Sequence, residues 1–523
     1  MSSFEYDVAI VGCGPVGALA GNLLGRAGLS TLVVESELLP HPLPRAVHVD
    51  HEMMRLFQAA GVIETIAQGM RDTDGHLHIG ADHGVIRYMG TIGRPRPFGW
   101  SSDYFFYQPE LEARLRAALE AYPQVQLCLG TSFAALSSDG AGVSLSLRSG
   151  MREWQTRARW VLACDGASSP VRKALGIELE DLGFDEPWLV IDAEVEGPVR
   201  FPELSGVPAG ANLQRLSVMM CDPERPATIV PGRGNHRRWE FMLLPQEIEA
   251  EAVAPDRVAE LIDPWLRGVP HRMVRATTYR FHGLIARQWQ AGAVFLAGDA
   301  AHQTPPFFGQ GMCHGMRDVA NLAWKLALVK SGGAPESLLT TYQLERETHV
   351  RKIIGAAIDA GRYICVLDRQ AASLRDVAMR KKAKLAVPTT AADLIPALAD
   401  GVILQGSSGA GERFIQPWVT RGSGRALLDE VTGGGWRLFV GTVEAAEDAR
   451  RELRKYPRLP AISVVPIPQL TDDGALTGWL LRHGAHAVLV RPDFYVFGTL
   501  SGSAPVERLL HSLSEALGIW RKP

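Results

Sequence analysis

Only six cysteines occur in 523 residues, at Cys13, Cys128, Cys164, Cys221, Cys313 and Cys365, and no two stand at CxxC or metal-ligand spacing. That scatter excludes a disulfide scaffold and fits free thiols in a reducing cytoplasm. The histidines form no HExxH set, so no metal site is legible. Basic blocks are missing too, and a net charge of −3 argues against nucleic acid or an anionic membrane as partner. No stretch is long and apolar enough to cross a bilayer. Glu5 and Asp7 stand where a secretory signal would carry Lys or Arg. Neither an internal repeat nor a low-complexity tract is present, and 46% hydrophobic with 21% charged residues is an ordinary globular composition. The length suggests roughly two to four domains. A small molecule is the expected partner.

Three strand-end turns carry the chemistry. The apolar run 6–12 enters Gly12-Cys13-Gly14-Pro15-Val16-Gly17 and a small-residue helix, and a second strand, 30–34, closes on Glu35. Glycines at these positions permit a tight turn and let a pyrophosphate sit on the helix N-terminus, while Glu35 would accept ribose hydroxyls and repel a 2′-phosphate. Cys164-Asp165-Gly166-Ala167-Ser168-Ser169-Pro170-Val171-Arg172 follows a second short strand, and by itself reads first as a capped surface turn. The third turn follows the run 293–297. There Asp299 is aimed beyond the strand, Gly309 and Gly311 allow close backbone approach, and a helix expected from about Arg317 turns its positive end toward the loop.

Between these turns, two-residue alternation at about 188–196, 213–221 and 238–243 predicts an antiparallel sheet, a plausible cover for substrate. Tyr104-Phe105-Phe106-Tyr107 is expected to alternate on a strand with one face core and the other pocket. Long helices are expected over 335–384. Glycine-rich links at 405–411 and 421–424 precede a βαβαββα pattern that resembles a thioredoxin-like domain. That last stretch holds no cysteine, so it performs no dithiol chemistry and is assigned packing or oligomerisation.

Taken together, GxGxxG, DGxxSxxR and GDAAHxxPPxxGQG occur in the order and spacing of the single-component FAD-dependent aromatic hydroxylases, the class A flavoprotein monooxygenases. Pro44-Arg45-Ala46-Val47, Gln108-Pro109-Glu110-Leu111 and Gly309-Gln310-Gly311-Met312-Cys313 look most like 3-(3-hydroxyphenyl)propionate hydroxylases and the related polyketide and phenol hydroxylases. The resemblance covers about residues 5–385. It implies an α/β (α+β) architecture: a glutathione-reductase-type FAD domain (1–180 and 275–400), a sheet-based substrate domain (181–274) and the thioredoxin-like C-terminal domain (425–523).

By the same resemblance, Gly12, Gly14 and Gly17 would hold the FAD pyrophosphate, Glu35 the adenosine ribose, and Arg45 and Gln108 the cofactor's linker. Asp299 would bind the ribityl chain or a pyrophosphate-side water, Asp165 belongs to a motif tied to both FAD and the nicotinamide donor, and the backbone of Gly311 and Met312 would face the pyrimidine edge of the flavin ring. His48, Asp50 and the Pro305 carbonyl are the candidate catalytic groups, with His48 taking the phenol proton. The implied reaction is reduction of FAD by NADH or NADPH, reaction with O2 to a flavin C4a-hydroperoxide, and hydroxyl transfer to a phenolic ring. No second GxGxxG is present, so no separate reductase is expected, and homodimerisation stays open. A Baeyer-Villiger or epoxidising oxygenase acting on a polyketide is the alternative. A non-catalytic flavin-fold escort protein is a remote one, and the absence of WxWxIP argues against a halogenase.

Overall fold

Tyr6–Val11 is apolar and buried on both faces because it runs through the middle of a parallel sheet. The computed structural model describes residues 4–385, 389–421 and 424–519. In this first sheet the order is Gln290–Ala291, Val294–Leu296, Arg152–Ala163, Tyr6–Val11, Thr31–Glu35, Val125–Leu129, and Arg152–Ala163 also pairs with the hairpin of Val143–Ser149 and Ser132–Ser138. Tyr6–Val11 is parallel to both its neighbours, and Val294–Leu296 is parallel to Arg152–Ala163. All three sequence turns therefore leave the carboxyl ends of adjacent parallel strands. That edge is where open α/β sheets bind ligands.

The second sheet has the order His302–Gln303, His271–Ala286, Leu179–Val195, His236–Met242, Ala227–Pro231, Leu216–Met220, Gly75–Ile79, Val85–Gly90. The expected antiparallel pattern holds except where Leu216–Met220 runs parallel to Gly75–Ile79. Residues 75–90 join this sheet from well outside the 181–274 stretch. Alternation sorts its faces. Leu189, Ile191, Val218, Ile229, Trp239 and Phe241 pack with Val258, Ile262 and Leu266 of the helix Pro255–Leu266 in a core of their own. Their neighbours Val190, Met219, Val230 and Glu240 line the cavity between the two sheets.

Helix Gly311–Lys330 starts six residues before the expected Arg317. Its early start lets Gly315 pass close to the third turn, where a Cβ would lie 2.8 Å from the Gly298 Cα. Thr341–Ile364 and Arg369–Leu385 are the long helices expected. Among the described residues, no helix is long and apolar enough to cross a membrane.

The C-terminal sheet has the order Ile462–Pro466, Trp436–Val440, Ala485–Val490, Val496–Ser501. Helices Val443–Leu453, Ala475–Arg482 and Val506–Ala516 complete the βαβαββα pattern. Gly422 and Ser423 of the second glycine-rich link lie outside the described residues. This unit is bound to the rest of the chain by buried ion pairs, Arg55 with Asp429 at 2.6 Å and Arg491 with Glu345 at 2.7 Å, and by the Tyr495 hydroxyl donating to Glu52 at 3.0 Å.

Candidate active site

Two of the first turn's glycines, Gly12 and Gly17, leave no room for anything larger. Gly12 has φ +94, and a Cβ there would lie 2.4 Å from the Cys164 carbonyl oxygen; one on Gly17 would lie 1.9 Å from that of Gly12. Glu35 accepts the Cys13 N–H at 2.7 Å, and Arg116 donates to the Cys13 carbonyl at 2.9 Å, so the turn is held from both sides. Gly14 caps helix Pro15–Arg26 with no side-chain bond, leaving the first helical N–H groups unsatisfied. A second uncapped helix start lies at Gly311–Met312, where the N-cap Gln310 makes no side-chain cap bond.

Between these two positive helix ends runs a cavity of about 610 Å³, lined by Gly14, Arg45, His48, Gln108, Asp299, Gly311 and Met312 among others. The Gln108 side-chain oxygen accepts the N–H groups of Arg45 (3.0 Å) and Ala46 (2.8 Å). Carbonyls of Pro44 and Arg45 are held by Arg238, and that of Pro44 also by Arg275, while both arginines pair with Asp192. Asp299 opens to the cavity, and the surrounding protein raises its pKa, partly offset by His302 and Arg45. Its turn is fixed by Asp318, which accepts the Gly298 N–H and pairs with His302 and Arg346.

His48 sits where the two sheets meet. Its Nδ1 lies 2.9 Å from Asp103 and its Nε2 2.7 Å from the Ser217 hydroxyl. An ionised carboxylate only accepts, so neutral His48 carries its proton on Nδ1 and accepts from Ser217. The Ser217 oxygen then keeps a lone pair for the cavity it lines. Burial alone would raise the Asp103 carboxyl, but His48 and His76 outweigh it and hold it well below the usual carboxylate range. His76 stacks on His48 with ring centroids 4.8 Å apart, and the Thr73 hydroxyl donates to Asp103 at 3.1 Å. Ligand atoms of His48, His76 and Asp103 lie within 4.8 Å of one another, a spacing a metal ion could use, though Asp103 and the His48 Nδ1 already bond each other. Gly309, with φ +62, packs on this imidazole: a Cβ there would be 2.6 Å from the His48 Cβ.

Not every expected residue reaches the cavity. Asp50 caps helix His51–Ala59 by accepting the Glu52 and Met53 N–H groups and is ion-paired with Arg317; at 2% exposed it has no free valence for catalysis. Pro305 is buried and does not line the cavity, whereas Thr304 and Pro306 on either side do. Asp165 is spent on its own turn, accepting from Ser169 at 2.6 Å and the Val171 N–H at 2.9 Å. Gly12, Gly17 and Glu35 shape the first turn without lining the cavity. Tyr104, Phe105 and Phe106 are core and Tyr107 is half-buried, and none of the four lines this cavity. Sequence reasoning missed Asp103, Ser217, Arg116, Asp318 and Glu240, none of which stands in a local motif.

The pieces fit FAD: an anion-ready helix start, a clamped linker loop, a carboxylate opening to the cavity, and a second helix start for a ring that gains charge. Residues 5–357 match the family model described as FAD binding domain, and residues 411–516 match the one described as HcaD C-terminal domain. The chain is 35% identical to a protein named probable NADH-specific resorcinol 4-hydroxylase of Rhodococcus jostii (strain RHA1), covering 98% of this chain and 95% of that one. It is also 35% identical to a 3-(3-hydroxy-phenyl)propionate/3-hydroxycinnamic acid hydroxylase of Burkholderia cenocepacia (strain HI2424), covering 94% and 93%. In fold it is similar to the ternary complex of aklavinone-11 hydroxylase with FAD and aklavinone, with TM-score 0.79, 24% identity and coverage of 99% and 100%. It is similar also to the monooxygenase PieE in complex with FAD and substrate, with TM-score 0.80, 21% identity and coverage of 99% and 100%.

Proposed function

The chain belongs to the FAD-binding-domain family, and from that premise we propose that it hydroxylates a phenol beside the ring hydroxyl, with NADH and O2 as co-substrates. The observation that carries this reading is the hydrogen-bonded series Ser217, His48, Asp103, which opens into the same cavity as the flavin-side turns. Gly12, Gly14 and Gly17 shape the pyrophosphate site, Glu35 meets the ribose, Arg45 and Gln108 hold the linker, Asp299 takes the ribityl chain, and Gly311 and Met312 face the ring. Asp165 supports the strand-end turn from behind. Bound there, FAD supplies what no side chain can, accepting a hydride from the nicotinamide and activating O2.

The protein's own task is to ready the phenol. Its hydroxyl donates to the Ser217 oxygen, Ser217 passes its proton to the His48 Nε2, and the imidazolium is stabilised by ionised Asp103. The phenolate that results is electron-rich at the adjacent carbon. Val190, Met219, Val230, Phe281 and Phe307 wall the cavity and keep water out.

In this division of labour, 1–180 and 275–400 hold the flavin, and 181–274, joined by strands from 75–90, forms the substrate wall. The donor docks against the flavin region without a partner reductase, as the single GxGxxG suggests, and we place the protein in the cytoplasm. The test is NADH oxidation by the purified chain across a phenol panel, with the product weighed. Hydroxylated phenol supports the reading, and oxidation that yields only peroxide for every phenol counts against it.

A further inference from the structure

One and two strands from Ser217, on the same face of the substrate sheet, the cavity wall carries a second polar pair. Glu240 of His236–Met242 stands directly opposite Thr228 of Ala227–Pro231, and both line the cavity. Glu240 is 8% exposed and Thr228 4%, and the Thr228 hydroxyl is buried without a hydrogen-bond partner. The nearest cation to Glu240 is Arg238 at 3.9 Å, beyond hydrogen-bond range.

The neighbouring arginines are already spent. Arg238 and Arg275 bond Asp192 and the Pro44 carbonyl, and Arg280 at the rim pairs with Asp185 and Glu249. Arg45 is exposed on the flavin side. On the substrate wall Arg238 and Arg275 and the two carboxylates Asp192 and Glu240 balance in charge, and what is left to meet a ligand is the Glu240 carboxylate, an acceptor without a donor among the described residues. Burial raises the Glu240 carboxyl, with Arg238 and Arg275 opposing, as expected of a group that lacks donors.

We propose that Glu240 and Thr228 form a second subsite that accepts a hydrogen bond from a substituent on the far side of the ring, so that the preferred substrate is a neutral dihydric phenol and not a phenol bearing a carboxylate chain. This rests on the phenol reading above. One ring hydroxyl meets Ser217 and the other meets Glu240. The two strands lie about 10 Å apart, a gap that a glutamate side chain and a benzene ring with two hydroxyls fill together. A ligand carboxylate at the same place would set acceptor against acceptor at Glu240, with Arg238 and Arg275 already bonded to Asp192 and the Pro44 carbonyl.

Flavin-absorbance titration of the FAD-loaded protein with resorcinol, phenol and 3-(3-hydroxyphenyl)propionate tests this. The native chain is expected to bind resorcinol about 10–100-fold more tightly than either competitor, the range for a hydrogen bond to a charged group. Glu240→Ala should bring the resorcinol-to-phenol preference to within about 3-fold. The isosteric Glu240→Gln, which keeps an acceptor, should retain part of that preference and relax the rejection of the carboxylate. Tighter binding of the propionate by the native chain would overturn the subsite, as would equal weakening of all three ligands in both variants at unchanged FAD content. Hydroxylation of phenols without a Glu240-dependent preference overturns the subsite alone. Failure to bind any of the three overturns the phenol reading and the subsite with it.

Discussion

Loss of the His48 imidazole is expected to leave FAD binding intact and to slow hydroxylation by about 10²–10⁴-fold, the range for an acid–base group. The defect of His48→Ala should shrink at alkaline pH, because a phenol with a pKa of about 10 then ionises unaided. Ser217→Ala should act in the same sense but less, since water can occupy the place of a hydroxyl. Rates that fall equally at every pH would make His48 a shaping residue only. Asp299→Ala removes a carboxylate that opens to the cavity, and is expected to weaken FAD by about 1–3 kcal/mol, read as lower flavin content after purification. Legibility differed among these residues for a physical reason. The glycines and Asp299 belong to turns whose backbone shape dictates sequence locally. Asp103 meets His48 across 55 positions through strand pairing, and Ser217 meets it across 169 positions where their sheets pack, neither of which leaves a periodic trace.

Among the elements, the helices His51–Ala59, Gly311–Lys330 and Thr341–Ile364 carry the charges that fasten the C-terminal unit. Burial alone would raise Glu345, yet Arg491 and Lys325 outweigh it and hold it at about 2; Arg317 and Arg413 do the same for Glu52, and Arg437 and Arg55 for Asp429. Each folded value lies below the unfolded carboxylate value of about 4. The stability these groups contribute is therefore fully present above about pH 4–5 and is lost as pH falls toward about 2. Thermal melts across that window should show the loss, and Glu345→Gln should flatten part of it. That substitution should also cost about 3–5 kcal/mol at neutral pH by leaving Arg491 and Lys325 short of a buried partner. A melt unchanged by Glu345→Gln at both ends of the window would remove this cluster from the account. The element order of the C-terminal unit was readable because its strands and helices are short, periodic and separated by turn residues. The start of Gly311–Lys330 was not, because Gly311 and Gly315 mimic loop signals, although Gly315 serves a close approach to Gly298.

At the scale of the whole molecule, two sheets and a C-terminal unit share one buried continuum in which Trp436, Leu438 and Phe497 pack with the flavin-side core. Deletion from residue 411 onward should therefore yield insoluble or flavin-poor protein, by exposing that apolar face and stranding Arg55 and Glu345 without their partners. A soluble truncated chain that keeps FAD and loses only electron transfer from NADH would contradict a purely packing role. The parallel sheet was visible in the sequence through its continuous apolar strands, whereas the joining of 75–90 to the substrate sheet depends on a long-range parallel pairing that no local pattern announces. That pairing puts His76 beside Ser217, and so brings the proposed proton path to the cavity. The source of the new oxygen tests the proposed hydroxylation most directly. The purified chain with FAD, NADH and a dihydric phenol under ¹⁸O₂, without any added reductase, is expected to give a product whose new ring hydroxyl carries the label. NADH consumption that ends in labelled peroxide, with no labelled hydroxyl on any phenol tried, would contradict it.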